Sequence, residues 1–181
     1  MLEDTLLIWK LKSGDAAALT RVYQKYRNDL LRIALGLSNQ ASEVEDIVHD
    51  VFLSLAKSPE KLKLRGNLKA YLATCVANRV RNSNRVGQRH EMVALDETEA
   101  VARDPHGPDR WIIQNEQLQR LNSALAQLPY AQREAVILHV QGGLKFRAIA
   151  KSQGVSINTI QSRYRYGLDK LRSLLDSEVE K

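Results

Sequence analysis

The chain of 181 residues contains one cysteine, Cys75. That excludes a disulfide scaffold and a cysteine-based zinc site, and it leads one to expect a reducing compartment. No apolar run approaches the ~20 residues of a membrane span, so membrane insertion is not expected. Glu3 and Asp4 precede the short apolar stretch Leu6-Leu7-Ile8, the wrong order for a secretion signal. The expected location is the cytoplasm. Period-two strand patterns, internal repeats and low-complexity tracts are missing as well. So are a Ser-His-Asp context and a Gly-rich phosphate loop, which leaves no reading as an enzyme, no cofactor and no small-molecule substrate.

What the chain does have is unevenly placed charge. Residues 1–85 hold fourteen basic and nine acidic side chains, residues 86–120 four and seven, and residues 121–181 nine and five. Two basic bodies therefore flank an acidic connector. Within the connector, Asp104-Pro105-His106-Gly107-Pro108 can hold neither helix nor central strand. These features predict a helical domain over 1–86, a flexible acidic linker over 87–110 and a second helical domain over 111–181.

Apolar residues recur at spacings of three and four in both bodies, which predicts an all-α chain of two small domains. The first would carry helices near 3–13, 16–36, 43–57 and 68–86. The second would carry helices near 111–127, 130–141, 145–152 and 156–175. Ser42-Glu43-Val44-Glu45 has the form of a capping box at the start of the third helix.

The segment from Phe146 to Arg163 fits a helix-turn-helix, the fold expected of the C-terminal domain. Ala150 is small where two helices cross, Gly154 follows where the turn needs a positive φ, and Ile160 locks the second helix down. Ser156 is a candidate N-cap. Ile157, Ile160, Tyr164, Leu168, Leu171 and Leu175 form an expected buried stripe. Asn158, Gln161, Ser162, Arg165 and Lys170 occupy the opposite face with Arg163 at its flank, the amide and guanidinium groups that read base edges and hold phosphates. No acid occurs from Ala135 to Leu168, whereas Lys145, Arg147, Lys151, Arg163 and Arg165 are basic.

A second basic tract differs in character. Lys61, Lys63, Arg65, Lys69, Arg79, Arg81, Arg85 and Arg89 lie between Glu60 and Glu91 with no acid among them. On the predicted helix 68–86, Leu68, Leu72 and Val76 share one side, while Tyr71, Thr74, Asn78, Arg81 and Arg85 line up on the other. One ring, two hydrogen-bonding side chains and two guanidiniums make a ridge suited to a partly unpaired nucleic-acid strand, with the loop 58–67 beside it to hold an extruded base.

Helix 43–57 is expected to bury Val44, Ile47, Val48, Val51, Phe52 and Leu55. Its other side presents Asp46, His49 and Asp50 around Leu53, a pattern that suits docking on a basic protein partner. Asp46 and His49 also have half the spacing of a carboxylate metal site, but the second Asp/Glu-x-x-His pair is lacking, and no metal is expected.

In order and spacing these features resemble a bacterial RNA polymerase sigma factor of the extracytoplasmic-function (ECF) type, over nearly the whole chain. Residues 18–85, with Tyr23-Gln24-Lys25-Tyr26, the run from Val44 to Leu53, and Lys69-Ala70-Tyr71-Leu72 followed by Asn78, are similar to sigma region 2. Residues 121–175, with Leu128-Pro129, Arg133, Gly143-Leu144, Ile149-Ala150, Gly154-Val155 and the run from Thr159 to Arg163, are similar to region 4. The resemblance implies core RNA polymerase and promoter DNA as partners, and an anti-sigma factor as a further one. It implies polymerase docking through Asp46, His49, Asp50 and Leu53. It implies −10 element contacts from Lys61, Lys63, Arg65, Asn67, Lys69, Tyr71, Thr74, Asn78, Arg81, Asn82 and Arg85. For the −35 element it implies Lys145, Arg147, Ser156, Asn158, Thr159, Gln161, Ser162, Arg163 and Arg165.

The sequence departs from the family pattern at three places. Lys145-Phe146-Arg147-Ala148 stands where a Ser-aromatic-acid-acid start is usual, Gln161 where a basic residue is common, and Asn82 where an acid is common. The competing reading of the same residues is a free-standing helix-turn-helix repressor or activator, which leaves the 61–90 tract without a role.

Overall fold

A computed structural model of the chain describes residues 2–59, 67–93 and 116–179, with side chains over 3–59, 67–87 and 119–176. The described residues form eight α-helices and one 3-10 turn, with no strand among them. The helices are α1 (Leu2–Lys12), α2 (Ala16–Leu37), α3 (Val44–Lys57), α4 (Leu68–Val93), α5 (Glu116–Ala126), α6 (Tyr130–Val140), α7 (Phe146–Gln153) and α8 (Ile157–Val179).

Local chemistry sets several of the ends. The Asp15 carboxylate accepts from Ala17 N at 2.8 Å and Ala18 N at 3.4 Å and so caps α2. Asn67 Oδ1 accepts from Ala70 N at 3.0 Å at the start of α4. Ser156 Oγ accepts from Thr159 N at 3.0 Å and caps α8, as its sequence position predicts. Gly154 ends α7 at φ 67°, the left-handed conformation that glycine adopts without a Cβ penalty.

Two expectations are corrected. The capping box at Ser42 does not form: a 3-10 turn occupies Ala41–Glu43, and Glu43 takes the cap position of α3 without a side-chain cap. The two glutamates bond elsewhere, Glu43 with Ser83 and Glu45 with Arg27 at 2.9 Å. The helix expected to stop at 86 runs to Val93, past the expected start of the linker at 87. Gly87 costs a helix only about 1 kcal/mol, and no proline follows until Pro105. The Asp104-Pro105-His106-Gly107-Pro108 run, and the start of the helix expected from 111, lie outside the described residues.

The expected buried positions of α3 and α4 are buried, including Val48, Phe52, Leu68, Leu72 and Val76, and they pack with Val22, Leu30, Ile33 and Leu37 of α2. A second group comprises Leu125, Leu128, Leu138, Leu144, Ile149, Ile160 and Leu171. Helix α6 joins the two groups into one core. Six consecutive residues, from Arg133 to Leu138, are buried, which is what a helix packed on opposite sides requires. On one side Ile137 seats over Gly36 of α2, where an added Cβ would lie 2.7 Å from Ile137 Cδ1. On the other side Val136 meets Gly167 of α8, where an added Cβ would lie 2.9 Å away. Both glycines permit a close helix approach that any larger residue would push apart.

Candidate nucleic-acid interface

Three surfaces follow from this frame. On α3, Asp46, His49 and Asp50 are exposed, and Leu53 stands among them at 40% exposure. Asp46 and His49 line a shallow cleft with Tyr23, Arg27, Leu31, Glu45 and Val48. Asp50 is tied down by Arg79 of α4, whose Nη1 donates to Asp50 Oδ2 at 2.9 Å while Nη2 donates to Ser54 Oγ at 2.6 Å. Arg79 thus steadies the acidic face and does not belong to the basic ridge. No group of three or more His, Cys, Asp or Glu that could hold a metal occurs among the described residues.

The ridge on α4 is more engaged than its spacing suggests. Lys69 pairs with Asp29 of α2 at 2.6 Å. Thr74 donates its hydroxyl to Ala70 O at 2.8 Å, within its own helix. Tyr71 is half-buried and packs on the core, as does Cys75, and burial pushes both the phenol and the thiol up from their ordinary pKa values. Arg81 donates from Nη1 to Asn78 Oδ1 at 3.1 Å and from Nη2 to Glu134 Oε1 at 2.5 Å. Asn78, Asn82 and Arg85 are exposed. Lys61, Lys63 and Arg65 lie outside the described residues.

Glu134 lies on the face of α6 turned toward the first helices and is only 3% exposed. Burial raises its carboxyl pKa, with the Arg81 guanidinium drawing it back. The residue before it, Arg133, donates to Leu37 O at 3.4 Å and Asn39 Oδ1 at 3.2 Å, and its guanidinium lies 5.4 Å from the Tyr130 ring centroid. Burial lowers the pKa of Arg133 and raises that of the Tyr130 phenol to about 12. Tyr130 Oη and Arg133 Nε are buried with no hydrogen-bond partner among the described residues.

The surface on α8 is open by contrast. Asn158, Gln161 and Arg165 are exposed and Ser162 is half-exposed, so the residues at i, i+3, i+4 and i+7 share one face. Arg163 donates to Gln153 Oε1 at 2.8 Å across the turn. Lys145 and Arg147 are exposed at the start of α7, where Lys145 takes the cap position with no side-chain cap. Phe146 packs inward, stacked on His139 at 4.2 Å and edge-on to Tyr164 at 5.1 Å. His139 Nδ1 lies 2.8 Å from Leu144 O, so this nitrogen carries the proton and donates. That aromatic cluster fixes α7 against α6 and α8.

Two residues on this surface differ from the sequence reading. Ile157, expected in the buried stripe, is 41% exposed, while Ile160 is fully buried. At the start of a helix there is no preceding turn to cover it. Tyr166, not anticipated at all, is 55% exposed, with the Arg165 guanidinium 5.1 Å from its ring centroid. Its position four residues after Ser162 was the available signal.

Comparison with known proteins places these surfaces in context. The family model described as Sigma-70 region 2 matches residues 22–90, and the one described as Sigma-70, region 4 matches residues 118–171. The ECF RNA polymerase sigma factor RpoE of Cereibacter sphaeroides is 30% identical over 160 residues, covering 87% of this chain and 86% of its own. The RNA polymerase sigma factor NccH of Alcaligenes xylosoxydans xylosoxydans is 26% identical over 177 residues, covering 96% of this chain and 95% of its own. Among solved structures, the sigma factor RpoE of Bartonella quintana in complex with the anti-sigma factor NepR superposes with a TM-score of 0.66 at 28% identity. That match covers 86% of this chain and 97% of the other.

Proposed function

The chain belongs to the ECF family of RNA polymerase sigma factors, and from that premise we propose which of its surfaces does what. The exposed acids Asp46 and Asp50, with His49 and Leu53, dock on the clamp coiled coil of the polymerase largest catalytic subunit. The α4 ridge, with the 58–67 loop, takes the −10 element through Tyr71, Asn78, Arg81, Asn82 and Arg85, and the cations Lys61, Lys63 and Arg65 track phosphates. The face of α8 enters the major groove of the −35 element through Asn158, Gln161, Ser162 and Arg165, while Lys145 and Arg147 hold the adjoining backbone. The first domain runs through α4 to Val93 and the second is 111–181, and the acidic stretch between them threads toward the active-site and RNA-exit channels. The protein is a non-catalytic initiation factor that works in the cytoplasm with core polymerase. An inhibitory protein of the anti-sigma class is a further partner, as NepR is for the Bartonella quintana relative.

One observation carries this reading: the acid-and-leucine face and the acid-free reading face occur on one chain, in the order of the two matched regions. Magnitudes assign the melting step to the complex. Opening about ten base pairs costs on the order of 14 kcal/mol at ~1.4 per step, and two or three stacked bases return only ~1–3 kcal/mol each.

The test is run-off transcription on a library of upstream regions, with purified core polymerase and with or without the protein. Start-site-specific transcripts are expected only with the protein, and Asp46→Lys with Asp50→Lys should abolish them together with binding to core. No specific transcript from any template, or wild-type core binding by the double variant, would overturn the reading.

A further inference from the structure

Taken alone, one exposed isoleucine carries no message, since folded proteins expose many apolar atoms. The place of Ile157 does. It opens α8, the helix whose polar face is read above as the −35 reader, and its inference rests on that reading. At ~100° per residue it lies about 40° from Gln161 and about 60° from Ile160, on the rim between the reading face and the buried stripe. Side chains on a helix lean toward its N-terminus, so the Ile157 side chain stands at the leading end.

That end is held in place. Ser156 caps it through Thr159 N, and the Ser156 and Thr159 hydroxyls are 2.8 Å apart. No acid occupies the first turn of α8. Ile157 is β-branched, with one strongly preferred χ1 in a helix, so its hydrocarbon surface is presented in a single orientation.

Recognition helices enter the major groove N-terminal residues first. The only hydrocarbon group that a base edge offers there is the thymine 5-methyl. A rigid branched side chain gains by covering that methyl. Against guanine or cytosine it would instead strip water from O6, N7 or N4 and supply no hydrogen bond in return.

We propose that Ile157 is a specificity-determining residue that reads a thymine methyl at one edge of the −35 element. The Asn158, Gln161 and Arg165 side chains read the neighbouring pairs.

Deoxyuridine in place of thymidine removes that methyl and nothing else. Once a −35 sequence has been selected with the holoenzyme, each thymidine in it is replaced singly, and holoenzyme binding is measured for wild type, Ile157→Val and Ile157→Ala. One position is expected to weaken wild-type binding about three- to fivefold, the worth of one methyl withdrawn from water. Ile157→Val should keep that sensitivity. Ile157→Ala should lose it at that position alone while retaining sensitivity to base-pair changes under Gln161 and Arg165, which shows that the helix is still folded and docked. A holoenzyme that binds the −35 element with no deoxyuridine-sensitive position, or an Ile157→Ala variant with the wild-type penalty, would overturn this inference alone. Binding that ignores the −35 sequence altogether would instead overturn the reading of α8.

Discussion

The two basic faces of this protein are built alike in sequence and differently in space. On α4 the cations are answered from within the fold: Lys69 by Asp29, Arg79 by Asp50 and Arg81 by Glu134. On α8 neither Arg163 nor Arg165 forms an ion pair among the described residues; Arg163 donates to Gln153 and Arg165 to Tyr166. Net charge over a stretch of chain is therefore a poor measure of the charge it can offer to DNA. A guanidinium bonded to a carboxylate must exchange that partner for a phosphate, whereas one on an open face starts unopposed.

The largest expected effect tests that contrast directly. Arg165→Ala should weaken binding of the free protein to a −35 duplex by about 1–3 kcal/mol, roughly fivefold to a hundredfold. Arg81→Ala should leave it within twofold. Equal losses in an anisotropy titration would erase the distinction between the faces.

A smaller effect should follow from removing the acid that holds Arg81. Glu134→Gln is expected to raise the affinity of the free protein for a −10 single strand several-fold. It should also steepen the dependence of log K on log salt by about 0.7, the increment of one more cation reaching a phosphate. An unchanged slope would mean that Arg81 was available all along.

The smallest concerns pH. Burial holds the Glu134 carboxyl above its ordinary value in the folded protein, so the folded form takes up a proton more readily than the unfolded one. Its contribution to stability grows as pH falls through the folded pKa and is lost as pH rises through it. Urea midpoints of wild type should therefore gain on those of Glu134→Gln as pH falls from neutral into the ordinary carboxylate range. A constant difference across that range would argue against a raised carboxyl.

Short-range signals carried far in this chain. The 3-and-4 spacing and the breakers around it delimit α2, α3 and α7 closely, and the buried positions of α3 follow from periodicity alone. The misreadings share a cause. Gly87 looks like a stop, yet one glycine is a weak one when nothing after it opposes a helix. Ser42 looks like a cap until Glu43 and Glu45 find partners on α4 and α2. The engagement of Arg81 depends on a residue fifty-three positions away, which no local pattern can reveal. One long-range clue was present: the run from Ala135 to Leu138 is apolar without a polar side, the mark of a helix covered on two sides.

That doubly covered helix has a practical consequence for anyone cutting the chain in two. A fragment of the first helices would keep a bare trough at Gly36, and a fragment of the last ones would turn Ile137 outward into water. Each half would carry a sticky seam shaped for the other, so aggregation of a separated piece would report a missing neighbour and not an unstable fold.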